Sequence, residues 1–121
     1  LVSFGKIIKQ AIIAADELAK DGISVELIDL RSVRPIDYDT VIKSVKKTNR
    51  MVFLEEAWPL SSIATEVSYV VQKEAFDFLD APVQRLTTAD TPMAYSPTLV
   101  EEFLPNAKEV IEAVKSVMYL K

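Results

Sequence analysis

The apolar positions of this chain alternate between short unbroken runs and spaced stripes, and each run or stripe predicts an element. The clearest stretch is Met51 to Leu79, MVFLEEAWPLSSIATEVSYVVQKEAFDFL. Met51, Val52, Phe53 and Leu54 are continuously apolar, the pattern of a strand covered on both faces. Glu55 and Glu56 end the run. Trp58-Pro59 then imposes an extended or turn geometry, because proline clashes with a helical residue before it, and Ser61 or Ser62 is placed to cap the helix that follows. Ile63, Val67, Val70, Val71 and Phe78 lay an apolar stripe along that helix, and Asp80-Ala81-Pro82 stops it. An α/β protein puts its site at such a strand-to-helix corner.

The flanking pattern alternates in the same way. Leu1 to Phe4 reads as the end of a strand that starts before the first residue, so the chain is expected to be a fragment of a longer protein. Lys6 to Lys20 carries apolar residues at Ile8, Ala11, Ile12, Ala15, Leu18 and Ala19, the spacing of a one-sided helix, and Gly22 supplies a left-handed residue to close it. Ile23 to Leu30 is a second strand, and Arg31 to Pro35 a polar exit loop. Tyr38 to Thr48 predicts a helix capped by Asp37, with Val41, Ile42 and Val45 inward and Lys46 and Lys47 at the end where cations suit the dipole. Val83 to Thr87 predicts a strand, residues 89–97 a proline-punctuated loop and Leu99 to Leu104 a helical turn. Asn106 with Glu109 three residues later opens a last helix through Met118.

Strands separated by helices of this length imply an α/β fold of three layers, α/β/α, with a mostly parallel sheet and right-handed crossovers. The apolar runs at 23–30 and 51–54 predict the central strands. The shorter, alternating strand near residue 83 predicts an edge.

Composition narrows the function classes. At 121 residues and 50% apolar, the chain has the size and core of a single domain spanning residues 1–121. Eighteen acids against fourteen bases give a net charge of −4 with no basic block, which leaves nucleic-acid binding without electrostatic footing. No apolar run approaches a membrane span. There is no cysteine for a disulfide, a catalytic thiol or a thiolate metal site, and no histidine for a general base, a triad or an imidazole ligand. The only glycines, Gly5 and Gly22, cannot spell a dinucleotide fingerprint or a phosphate-cradling loop.

Candidate chemistry rests on a few charged and aromatic residues. Asp29, Glu55 and Glu56 lie near the carboxyl ends of two predicted strands, where they can meet over the sheet to bind a metal or move a proton; alternatively they cap strands or pair with Arg31 or Arg34. Arg31 and Arg34 read either as a clamp for an anion or as ties to nearby acids. Trp58 reads as an anchor for a partner's pocket or as a cover for its own core. Tyr69, Phe76 and Phe78 are candidates for a dimer face, against the commoner role of core. Tyr119-Leu120-Lys121 places an apolar aromatic pair at a terminus, where fraying favours polar residues, and suggests docking.

Four stretches carry a resemblance: GISVELIDLRSVRPID (Gly22 to Asp37), SVKKTNRMVFLEEAWP (Ser44 to Pro59), EAFDFLDAPVQRLTTADTPMAYS (Glu74 to Ser96) and LPNAKEVIEAVK (Leu104 to Lys115). In this order they closely resemble the carboxyl-terminal domain of pyruvate dehydrogenase beta subunits, the transketolase C-terminal-like domain of the 2-oxoacid dehydrogenases. The Asp-Ala-Pro and Thr-Pro-Met-Ala-Tyr stretches favour pyruvate over a branched-chain 2-oxoacid; a transketolase-type enzyme is the other relative. The resemblance implies a mixed sheet whose one antiparallel strand lies upstream in sequence. It implies an intact enzyme that uses thiamine diphosphate and magnesium, held between the alpha subunit and the amino-terminal domain of the beta subunit, with no catalytic, cofactor or metal residue on this domain.

The implied role is assembly with a second beta subunit, the alpha subunit and the dihydrolipoyl acyltransferase core. The residues placed at the subunit interface are Trp58, Pro59, Ser62, Ile63, Glu66 and Tyr69, and those at the acyltransferase core Tyr119, Leu120 and Lys121. Such an enzyme is expected in the bacterial cytoplasm, or in the mitochondrial matrix or plastid of a eukaryote. One departure stands at the corner, where Ala57, Ser62 and Ala64 replace family glycines; their side chains are expected to open the interface slightly. A free-standing ligand module built on Asp29, Arg31, Glu55 and Glu56 is the competing reading.

Overall fold

The computed structural model describes all 121 residues, Leu1–Lys121. Its sheet has four strands, β1 (Val2–Ser3), β2 (Ile28–Asp29), β3 (Val52–Leu54) and β4 (Gln84–Leu86), arranged β2-β1-β3-β4. Every neighbouring pair is parallel. The antiparallel strand that the resemblance implies is not among them. Five helices, α1 (Ile8–Lys20), α2 (Tyr38–Thr48), α3 (Ile63–Ala75), α4 (Pro97–Phe103) and α5 (Ala107–Val117), complete the chain, with a 3₁₀ turn at Phe76–Phe78.

Strand alternation sorts the apolar side chains into two cores. Val2 and Phe53 face α2 and α3, where they meet Val41, Val45, Val67 and Val71. Val52 and Leu54 face α1 and α5, against Ala11, Leu18, Val110 and Val114. The sheet is therefore the middle of three layers, with α2 packed on α3 on one face and α1 on α5 on the other. Burying each of the valine, leucine and phenylalanine side chains among these stabilises the fold by roughly 1.5–3 kcal/mol.

Sequence signals set the helix ends. Asp37 caps α2 by accepting from the Thr40 backbone N–H, and Asn49 closes that helix in the left-handed region at φ 64°. Ser62, rather than Ser61, caps α3 through Thr65 N–H. Asn106 and Glu109 form the reciprocal capping box of α5. Gly22, at φ 79°, ends α1, its N–H bonded to the Ala19 carbonyl.

Several expectations need correction. Residues 23–30 do not form a central strand: only Ile28–Asp29 pair, at the sheet edge, and the centre is β1 with β3. Ile23, Val25 and Leu27 owe their apolar character to packing against the α1/α5 core. In α1 the buried positions are Ala11, Ala14 and Leu18, while Ile12 faces out. In α3 they are Ala64, Val67, Val71 and Ala75; Phe78 lies beyond the helix and outside the stripe. The expected turn at 99–104 is a seven-residue helix that starts earlier, with Pro97 at its first position, where the missing N–H costs nothing.

The edge strand is tied down by charge. Glu26, just before β2, accepts from Ser44 Oγ at 2.6 Å and from Lys47 Nζ at 2.9 Å, both on α2. The Ser44 hydrogen bond first, and Lys47 second, hold the Glu26 carboxyl below its ordinary value of 4.5. A depressed carboxyl stabilises the fold above its unfolded pKa and loses that contribution as pH falls through the folded value. The melting temperature is therefore expected to fall more steeply between about pH 5 and pH 3 for the natural chain than for Glu26→Gln. Because Glu26 and Lys47 are substantially exposed, the difference should stay under about 1 kcal/mol. Parallel thermal melts would check it, and identical slopes would refute the tie.

Candidate functional site

Alternation along β3 places Glu55, two residues beyond Phe53, on the face beneath α3. It is fully buried, and both carboxyl oxygens lie 3.3 Å from the backbone N–H of Ala64, in the first turn of that helix. This N–H is one of the four that a helix leaves without an internal partner, and the helix dipole favours an acidic side chain there. Glu55 thus fastens α3 to the end of β3. Arg85, in register with Phe53 on β4, fastens the same corner from the side. Its Nη1 donates to Thr65 Oγ1 at 2.7 Å and to the Pro59 carbonyl.

In an open parallel sheet, ligands bind at the carboxyl ends of the strands, where successive connections run to opposite sides. Here that point lies between β1 and β3, since the chain passes from β1 outward to β2 and then returns to β3. Glu55 fills it with a helix-fastening contact, and Ser3, Gly5 and Glu55 line none of four clefts on the surface. The hydroxyl of Ser3 is buried there without a partner.

The proposed acid cluster does not assemble. Asp29 accepts from Arg31 Nε at 2.7 Å and from the Arg31 backbone N–H at 3.1 Å, Glu55 is under α3, and Glu56 is exposed. No three acids gather closely enough to hold a metal ion. Arg31 is a tie to its neighbouring acid rather than a clamp. The ligand module built on these residues has no common pocket.

The aromatic candidates separate clearly. Trp58 is 54% exposed and donates its indole N–H to the Thr91 carbonyl at 2.9 Å, so it covers the 88–103 segment instead of the core. Tyr69 (58% exposed) and Phe76 (64%) point outward from and just past α3, against the expectation that such residues are core. Glu66 is exposed in the first turn of α3; burial first, and the Glu66 charge second, raise the pKa of the Tyr38 phenol on α2. Ser62 and Ile63 are turned inward and brace the corner, and Pro59 is half-buried.

At the other end, Tyr119 donates its hydroxyl to the Asp80 carbonyl at 3.0 Å, while Leu120 and Lys121 remain exposed. A groove of about 510 Å³ runs from Gln72 and Phe76 to Tyr119. Sequence reasoning missed two residues of the corner between β3 and α3, Glu55 as a fastener and Arg85 altogether. The only available signal for Arg85 was its place, unaccompanied by any neighbouring acid, on a predicted strand.

A parallel sheet of this order, sandwiched between helix pairs and with Glu55 seated at its switch point, defines an α/β domain. The chain belongs to the family described as Transketolase, C-terminal domain, which matches residues 1–110. Its relatives are more particular. It is 52% identical to the pyruvate dehydrogenase E1 component subunit beta of Rhizobium meliloti (strain 1021) over 98% of this chain and 26% of the relative. The subunit beta of Rickettsia bellii (strain RML369-C) is 46% identical over 100% of this chain and 37% of the relative, and the mitochondrial one of Dictyostelium discoideum 43% over 97% and 33%. The chain thus spans about a quarter to just over a third of these relatives. A solved structure titled "Split gene transketolase, inactive beta4 tetramer" superposes with a TM-score of 0.85 at 27% identity, covering 99% of this chain and 39% of that one. No helix is long and apolar enough to cross a membrane.

Proposed function

We infer that residues 1–121 act as one non-catalytic assembly domain in the beta subunit of a thiamine-diphosphate-dependent pyruvate dehydrogenase. The intact enzyme oxidatively decarboxylates pyruvate and acetylates the lipoyl group of the acyltransferase core. What carries the reading is similarity along the whole of this chain to part of pyruvate dehydrogenase beta subunits, combined with a surface that offers outward aromatic residues and no convergent site. The residues present do not fit the cofactor: no acids gather for magnesium, and the crevice at the switch point holds Glu55. Thiamine diphosphate and magnesium therefore belong elsewhere in the intact enzyme, whose chemistry is the cofactor's, with protein supplying position and electrostatics.

The outer face of α3, with Glu66 and Tyr69, meets a second beta subunit. Trp58 and Pro59 form its edge, and Ser62 and Ile63 support it. The alpha subunit is a further partner, and Tyr119, Leu120 and Lys121 meet the dihydrolipoyl acyltransferase core. The setting is the cytoplasm of a bacterium, or the mitochondrial matrix or plastid of a eukaryote.

Deleting Tyr119–Lys121 from the beta subunit is expected to weaken capture by the acyltransferase core at least about tenfold, as loss of an aromatic anchor does. Titration of the assembled dehydrogenase against the core measures it. Unchanged affinity, with the assembly intact, refutes the tail's role.

A further inference from the structure

The stretch 89–103, between β4 and α5, stands apart from both cores. Neither core contains a residue of it, even among the half-buried side chains packed against them, and no residue in it is buried. Its large apolar side chains Met93, Tyr95 and Leu99 are exposed, Tyr95 fully so. The stretch leaves and rejoins the body at one point, where the Ala89 N–H donates to the Phe103 carbonyl at 3.0 Å. Its only regular element is α4, whose bonds from Val100 N–H to Ser96 and from Leu104 N–H to Val100 are its own. A helix this short is marginal in water without a packed face. From residues 90–102 a single hydrogen bond reaches the body, accepted by the Thr91 carbonyl from the Trp58 indole N–H at 2.9 Å, and no ion pair does.

We propose that residues 89–103 are a hinged flap that opens as a unit while the rest of the fold stays intact, and that Trp58 is its latch. Opening exposes no core side chain. It breaks the Trp58–Thr91 bond and the bond at the base, and forfeits the half-buried contacts of Ala94, Val100 and Phe103. Glu55 and Arg85, which fasten α3 to the sheet, make no hydrogen bond to the flap, so the corner keeps its place when the flap moves. A cleft of about 290 Å³ is lined by Glu56, Ala57 and Trp58 from the corner, by Thr88, and by Met93 and Phe103 from the flap. This cleft exists only while the flap is shut, so the Trp58 latch governs whether the concave surface forms. The flap belongs to the fold itself and does not depend on α3 meeting a second subunit.

Hydrogen exchange of the full-length protein, followed peptide by peptide in increasing low concentrations of urea, tests the flap. The α4 amides are expected to exchange at least about a hundredfold faster than those of β3. Their rate should barely change with urea, since opening the flap uncovers little surface. Trp58→Phe keeps an aromatic ring at the corner and removes the N–H. It should speed exchange across residues 96–104 about two- to tenfold, the worth of one hydrogen bond, and leave β3 unchanged. Chymotryptic cleavage after Tyr95 under native conditions should rise by the same factor. Exchange in α4 that matches β3 in rate and urea dependence overturns the flap, and exchange as fast as in an unstructured peptide overturns its shut state. Equal acceleration of α4 and β3 in Trp58→Phe, or no acceleration of α4, overturns the latch.

Discussion

Phe53→Ala is expected to destabilise the domain by about 3–5 kcal/mol. The ring is fully buried in the middle of β3, packed edge-on to Phe4 with centroids 6.2 Å apart and against the α2 and α3 side chains. Removing it forfeits the transfer free energy of the ring and leaves a cavity that the fixed spacing of sheet and helices cannot collapse. Against a total stability of about 5–15 kcal/mol, such a loss leaves the variant marginal. Urea unfolding would measure the change as a shift in midpoint at nearly constant slope. A loss below about 1 kcal/mol would mean that the α2/α3 core is not packed as described.

Glu55→Ala is expected to cost about 2–4 kcal/mol, through a buried Ala64 N–H left without an acceptor and a void beneath α3. Glu55→Gln should cost less than about 1 kcal/mol, because the amide carbonyl can still accept from Ala64 and the volume is nearly kept. Chemical denaturation of both variants separates the two causes. Equal losses would show that charge at the helix terminus, rather than shape and hydrogen bonding, holds the corner. A small loss in the alanine variant would show that Arg85 alone suffices to fasten it.

Residues whose partners lie close in sequence were the legible ones. Asp37 with Thr40, Ser62 with Thr65 and Asn106 with Glu109 span three positions each, and their patterns announce the helix starts. The unbroken run Met51 to Leu54 announced a doubly covered strand. The run at 23–30 misled because an apolar residue reports only that something covers it, and Ile23, Val25 and Leu27 are covered by helices from the sheet's edge. The central place of β1 was hidden, since only Leu1 to Phe4 were there to read. Small residues were silent for a different reason: Ala64 and Ala75 pack closely under α3 yet contribute little to an apolar stripe, whereas Phe78 contributes strongly and lies outside the core.

The residues of the proposed assembly surface were legible only as residue types. Trp58, Tyr69 and Tyr119 stood out as residue types, but whether the Tyr69 ring faces water depends on helix rotation, which a stripe fixes only to within one position, and Trp58 and Tyr119 sit in connecting turns that no periodicity orients. Glu55 was visible as an acid at a strand end. Its burial depends on a helix that begins eight residues later folding back over it, and nothing local announces that.

The two cores meet on one short strand. Val52 and Leu54 serve one side of the sheet and Phe53 the other, so three consecutive residues anchor opposite layers. Loosening either layer withdraws support from the other through this shared backbone. The molecule should accordingly melt in a single cooperative step, with neither helix pair surviving alone.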